Sequence, residues 1–253
     1  MKSFALMLAF FTRIPVRAPE TIEDTLYKKG IKYLFVIGII IGIPVGAVML
    51  LQDVIGKYLA AFIALVIYLL LSGGLHIDGM SDTVDGFAAH RDREGTLSIM
   101  KDSHIGTFGV LAICVYVVGM TVCMAQADAV AAGLFPLAGR TAALLCARLK
   151  RSATNGLGRW FVDGVKTVHV AWSVAAFTAI AAVLCLRRGI QGAPMFAGYV
   201  AALLGALLVT ALIVNRFAKK LGGVTGDVIG FSVELSQLVF LLFSCIAVII
   251  ITG

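Results

Sequence analysis

The chain has 253 residues, 60% of them hydrophobic and 14% charged, with a mean hydropathy of +1.00. Soluble domains carry about 25% charged residues, so this composition holds more apolar surface than one soluble core can bury and points to the bilayer as solvent. The formal charge of +7 does not suggest a nucleic-acid binder, because the basic residues collect in short segments between apolar runs, with no basic stripe or recognition motif.

The first 11 residues are too short, and too soon followed by Arg13, for a cleaved signal. Phe4, Leu6, Leu8, Phe10 and Phe11 predict a short N-terminal interfacial helix there. Seven apolar runs follow, at residues 33–51, 58–75, 108–127, 129–147, 168–186, 193–214 and 228–251. Each is close to the roughly 20 residues that cross a bilayer. The predicted fold class is therefore all-α, a polytopic membrane helix bundle of about seven transmembrane helices in a single integral membrane domain over residues 1–253.

Lys28, Lys29 and Lys32 precede the first run, and most other basic residues fall in 76–107, 148–167 and 215–227. The excess of Lys and Arg there puts these segments in the cytoplasm, against the opposing signal of Arg187 and Arg188. Gly38, Gly42 and Gly46 recur every four residues in the first span, the pattern that lets two membrane helices approach closely. The five cysteines (Cys114, Cys123, Cys146, Cys185 and Cys245) all lie in apolar runs without C-x-x-C spacing and read as small buried hydrophobes.

Residues 76–106 hold six of the 14 acids. Within them Asp78, Asp82 and Asp85 are spaced four and three apart, so a helix would carry all three carboxylates on one face. Such crowding is tolerable in water or beside a cation, and hard oxygen ligands suit Mg²⁺, Ca²⁺ or Mn²⁺. His76, at a span end, suits a base, a phosphate contact or a ligand, or is an interfacial histidine without a role. Lys101, Asp102 and His104 precede the third span, and Lys101 suits a phosphate as a point charge. Ser103 would cap that span. Arg140 and Glu234 fall inside apolar runs, where charges are functional candidates by default, although Glu234 could simply snorkel. Thr225 and Asp227 open the last span, with Asp227 as its N-cap or as part of a phosphate site at the helix N-terminus. No G-x-x-x-x-G-K-[ST] occurs, which excludes a P-loop.

Taken together, GGLHIDGMSDTVDG (73–86), IMKDSHIGTFGVLA (99–112), FTRIPV (11–16) and GGVTGDVIG (222–230) closely resemble the cobalamin synthase, or adenosylcobinamide-GDP ribazoletransferase, family. Ile77 departs from the family pattern where an acid is common, and His104 where an arginine is expected. The resemblance implies a multi-pass enzyme of the bacterial inner membrane that joins adenosylcobinamide-GDP to α-ribazole, or its 5′-phosphate, and releases GMP with Mg²⁺ as cofactor. On that reading Asp78, Asp82 and Asp85 hold metal, and Asp85 or His76 takes the hydroxyl proton. Arg13, Lys101, Asp102, His104, Arg140, Thr225 and Asp227 contact substrate or phosphate. The lipid bilayer is a partner, nucleic acid is not, and a homo-oligomer is compatible with the sequence. The aspartate-rich helix is also loosely similar to CDP-alcohol phosphotransferases, a chemical analogy only.

Two other classes compete. A transporter also uses intramembrane acids and glycine-broken helices, but most acids here lie off the midplane and no inverted repeat is visible. A scaffold protein would not need the aspartate triplet.

Overall fold

The computed structural model describes residues 1–19, 21–187 and 192–252; Arg188 lies outside them. Among these residues there is no strand, and one isolated bridge joins Ser152 to Val224. The helices are α1 (Lys2–Phe11), α2 (Asp24–Gly30), α3 (Leu34–Met49), α4 (Gln52–Ile55), α5 (Lys57–Ser72), α6 (Leu75–Ala88) and α7 (Arg93–Ile99). They continue with α8 (Thr107–Gln126), α9 (Ala129–Leu149), α10 (Leu157–Gly164), α11 (Thr167–Leu186), α12 (Gly192–Leu221) and α13 (Gly226–Thr252). All seven apolar runs are helices, and the fold is the expected polytopic helical bundle.

Six of these helices are long and apolar enough to span alone, α2 and α3 counting as one continuous stretch. The 58–75 run differs from expectation. Its helix, α5, stops at Ser72 after 16 residues, and α6 leaves it at 91°. At 1.5 Å per residue α5 covers about 24 Å, short of the ~30 Å hydrocarbon core. The turn is made by Gly73 and Gly74, both left-handed at φ 68° and 74°. Side chains rarely adopt that conformation, so the glycine pair both ends α5 and redirects the chain. Arg13 braces the bend, donating its backbone N–H to the Leu71 carbonyl at 2.8 Å while its side chain lies against Gly73.

The fourth apolar run is the axis of the bundle. Buried residues make up 83% of the apolar stretch of α9, against 28–39% in the other five spans. Its small residues allow this. A Cβ on Gly38 would come within 2.8 Å of the Leu137 Cα, and one on Gly42 would collide with the Gly133 backbone. The glycine stripe of α3 is therefore the seam against α9, as the small-xxx-small pattern predicts. Conversely, Leu204, Leu208 and Leu212 on α12 are exposed at helical spacing. This is the face expected of a helix bathed in lipid rather than water. Four cysteines are buried; the fifth, Cys114, is exposed on the outside of α8, contrary to expectation.

The polar segments meet at one end of the bundle. Arg93 donates Nε–H to the Leu221 carbonyl (2.8 Å), Arg151 donates Nε–H to the Gly222 carbonyl (3.0 Å), and Val224 donates its N–H to Arg151 (2.9 Å). Helix α1 is more than an interfacial helix. Leu6, Met7, Leu8 and Phe11 are buried, and the helix packs with α2 and α3 over the polar end of the bundle. Neither α2 nor α10 stood out in the sequence. In α10 the buried or part-buried Leu157, Trp160, Phe161 and Gly164 follow an i, i+3, i+4, i+7 pattern that would have revealed it.

Replacing Gly42 with valine is expected to lower the thermal stability of the detergent-solubilised protein by the ~1–3 kcal/mol typical of overpacking. The exposed Ile43→Ala should shift the same melting curve far less.

Candidate active site

Helix α6 lies across the ends of α8 and α13, and this placement divides its three aspartates. Asp85 turns to α8. Its carboxylate accepts the Gly106 N–H at 2.8 Å and the Gly109 N–H at 2.9 Å, two donors of the first turn that have no partner within the helix. The cap of α8 is thus a side chain from another helix, where the sequence suggested Ser103. Gly106 and Gly109 let the carboxylate in, since a Cβ on either would collide with it.

Asp78 and Asp82 turn the other way, toward the start of α13. Gly79 packs on the backbone of Asp227, where its own Cβ would lie 2.9 Å from the Asp227 Cα. Thr225 caps α13 by accepting the Val228 N–H at 3.2 Å. The expected cap, Asp227, is instead in the first turn, its carboxylate held by the Thr225 hydroxyl and its own backbone N–H. Burial, then the charges of Asp78, Asp227 and Asp85, push the carboxyl of Asp82 up to about 6. Oxygen-only donors crowded to this degree fit a hard divalent cation, which would remove the repulsion. As placed, no group of three His, Cys, Asp or Glu side chains among the described residues has ligand geometry. Binding would require the carboxylates to rotate inward.

A cavity of about 150 Å³ opens beside Asp78 and Asp227 and runs into the bundle. His76 and Arg140 line its inner part, and aromatic side chains of α1, α2 and α10 line the rest. Arg140 is fully buried; Nη1 reaches the Pro136 carbonyl at 3.4 Å, whereas Nε and Nη2 have no partner. Behind it lies a polar cluster. Tyr68 donates its hydroxyl to Glu234 Oε1 at 2.7 Å, and the His76 Nδ1 is 4.0 Å from the same oxygen. With its amide turned to satisfy both ends, Gln237 accepts from Arg140 Nη1 at 2.7 Å and donates to the Tyr116 hydroxyl at 3.3 Å. Glu234 is only 1% exposed, so it does not snorkel. Tyr68 and Gln237 were not singled out in the sequence, because a lone Tyr or Gln in an apolar run carries no spacing signal.

Of the expected site residues, the structure brings His76, Asp78, Arg140 and Asp227 to one cavity. Arg13 stays at the α5–α6 bend. Lys101, Asp102 and His104 form an exposed turn outside the cavity, with His104 Nδ1 2.7 Å from Asp102 Oδ1. Hydrogen bonds from the His104 backbone and ring hold the Asp102 carboxyl below its usual range.

Residues 3–245 match the family model of cobalamin-5-phosphate synthase, CobS. The chain belongs to this family. It is 35% identical over 243 residues to the adenosylcobinamide-GDP ribazoletransferase of Alkaliphilus oremlandii, covering 96% of each chain. The enzyme of the same name from Clostridium acetobutylicum is 32% identical over 94% of this chain and 93% of its own. That of Escherichia coli is 34% identical over 95% and 98%. No solved structure matches the chain. Like its relatives, the cobalamin-5-phosphate synthase family member described here is an enzyme.

Two outcomes are expected. Asp85→Ala should speed amide hydrogen exchange at Gly106 and Gly109 and destabilise the protein by the ~1–3 kcal/mol of orphaned donors, while leaving exchange in α11 unchanged. The Asp82 carboxyl, with a pKa of about 6 in the fold against 3.8 unperturbed, favours the protonated folded form. Its stabilising effect is full below the lower value and is lost as pH rises through the higher one. The melting temperature of metal-free wild type should therefore fall relative to that of Asp82→Asn as pH is raised across this window, in parallel melting curves.

Proposed function

We propose that the protein transfers the cobinamide phosphate of adenosylcobinamide-GDP to α-ribazole, or its 5′-phosphate, with release of GMP. The observation that carries this reading is the meeting of Asp78 and Asp227, with Asp82 beside them, and an Arg140 whose Nε and Nη2 lack partners at one cavity, in a chain similar over nearly its whole length to ribazoletransferases. The polar end faces the cytoplasm of a bacterial inner membrane, on the strength of its Lys and Arg excess.

Mg²⁺ would be held by Asp78, Asp82 and Asp227, where it would neutralise pyrophosphate charge and the departing GMP. Asp85, which spacing and the family resemblance both place in this set, instead holds the first turn of α8. A ribose hydroxyl oxygen bonds to the phosphorus bearing cobinamide, and the bond from that phosphorus to the GMP oxygen breaks. His76, a cavity-wall imidazole stacked on Phe11 with ring centres 5.8 Å apart, accepts the hydroxyl proton. Glu234 Oε1 lies 4.0 Å from the imidazole Nδ1, an acid beside the base. With both substrates electron-rich, positioning and charge neutralisation supply most of the acceleration.

Asp82→Asn is expected to insert and fold normally yet abolish Mg²⁺-dependent GMP release from adenosylcobinamide-GDP and α-ribazole. Changes at Asp78, Asp82 and Asp227 should each cost at least about a hundredfold in kcat/KM, the scale of losing a charge-stabilising group. Asp92→Asn and Glu94→Gln should be near neutral. Near-normal turnover in purified Asp82→Asn, with an EDTA control, would refute the metal role.

A further inference from the structure

The cavity is an unusual shape for a site that only gathers phosphates. Its outer wall is built from Phe10 and Phe11 of α1, Tyr27 of α2 and Phe161 of α10. These rings pack edge to face: Phe10 on Phe11 at 4.8 Å, Phe10 on Tyr27 at 5.6 Å and Phe11 on Phe161 at 6.3 Å between centres. Protein interiors seldom leave voids larger than a water molecule, yet about 150 Å³ remains open between these rings and the polar wall. At that wall a fully buried Arg140 keeps Nε and Nη2 without partners. Orphaned donors of this kind are costly unless a ligand completes them.

We propose that this cavity is the seat of the acceptor's base. A benzimidazole-type ring lies among Phe10, Phe11, Tyr27 and Phe161, its free ring nitrogen accepts from Arg140, and its ribose emerges at His76, Asp78 and Asp227. The assignment rests on ribazole being the acceptor. The fused hydrocarbon edge of such a base needs no hydrogen bonds, and its glycosylated five-membered ring leaves one in-plane lone pair for a donor. Guanine, the other planar ring in the reaction, would bring several polar edge atoms against phenyl rings and Leu34, Ala143 and Val233, which offer them no side-chain partner. A corrin ring is too large for the space. Helices α1, α2 and α10 thereby select the acceptor, and the corrinoid and its nucleotide approach the aspartates from the open side.

The test is steady-state GMP release by the full-length protein in proteoliposomes, with donor and acceptor varied separately. Phe161→Ala and Arg140→Gln are each expected to raise the KM for α-ribazole by about tenfold or more, the loss of an aromatic or charged contact, and to leave the KM for adenosylcobinamide-GDP within about twofold. Phe161→Leu, which keeps apolar bulk, should show the same split more weakly. Without any donor, the intrinsic fluorescence of the ribazole base should respond to wild-type protein and not to Phe161→Ala of unchanged melting temperature. A rise in donor KM instead, an unchanged acceptor KM, or equal fluorescence responses would overturn the assignment. If wild type releases no GMP while the fluorescence response holds, the proposed reaction falls and the base seat stands.

Discussion

The right-angle turn at Gly73–Gly74 is the constraint on which the polar end of this bundle depends. A helix that continued straight from α5 would carry Asp78, Asp82 and Asp85 onward along one axis, away from the start of α13. By folding α6 across the ends of α8 and α13, the turn brings acids from two distant parts of the chain together. It also leaves His76, at the second position of α6, pressed against α13, where a Cβ on Gly230 would sit 3.2 Å from the His76 carbonyl. Two glycines in left-handed conformation, braced by Arg13, therefore decide the geometry of the acids.

The second organising feature is the buried polar cluster. An arginine and a glutamate in an otherwise apolar bundle would be prohibitive alone. Here Glu234 has Tyr68, Arg140 has Gln237 and the ring of Tyr68 at 5.9 Å, and Tyr116 closes the group. The cluster is left incomplete at the Nε and Nη2 of Arg140, a residue of the cavity wall. A network satisfied on its protein side and open on its cavity side is rigid scaffolding for a ligand. The lipid-facing surface outside it needs nothing more than apolar side chains.

Function follows from how the aspartates are shared out. Spacing alone makes Asp78, Asp82 and Asp85 equivalent, but the packing of α8 assigns Asp85 to two backbone donors and leaves its neighbours with Asp227. The same helix thus fastens the site and furnishes it. The aromatic cover contributed by α1, α2 and α10 adds an apolar chamber next to the acids, a combination suited to a substrate that is a flat base at one end and a hydroxyl at the other.

The sequence by itself determined the solvent, the helices and the chemical inventory. Continuous apolar runs can satisfy their backbones in lipid only as helices, so composition and length placed all seven runs. The glycine period predicted a close helix seam on the first span, because close approach is a property of residue size; that its partner is α9 came only from the tertiary structure. The acids, His76, Arg140 and Asp227 were legible as unusual residues in unusual places. Tertiary structure alone decided which of them face one another. The division of the triplet depends on a carboxylate from α6 meeting the first turn of α8, and the loss of Lys101 and His104 from the site depends on a turn that stays in solvent. The chamber's walls come from α1, legible in the sequence as a short helix, and from α2 and α10, whose packing against α1 no single-helix pattern states. Side-chain spacing describes one helix at a time, whereas a site between helices is set by crossing geometry, to which residues more than a hundred positions apart contribute equally.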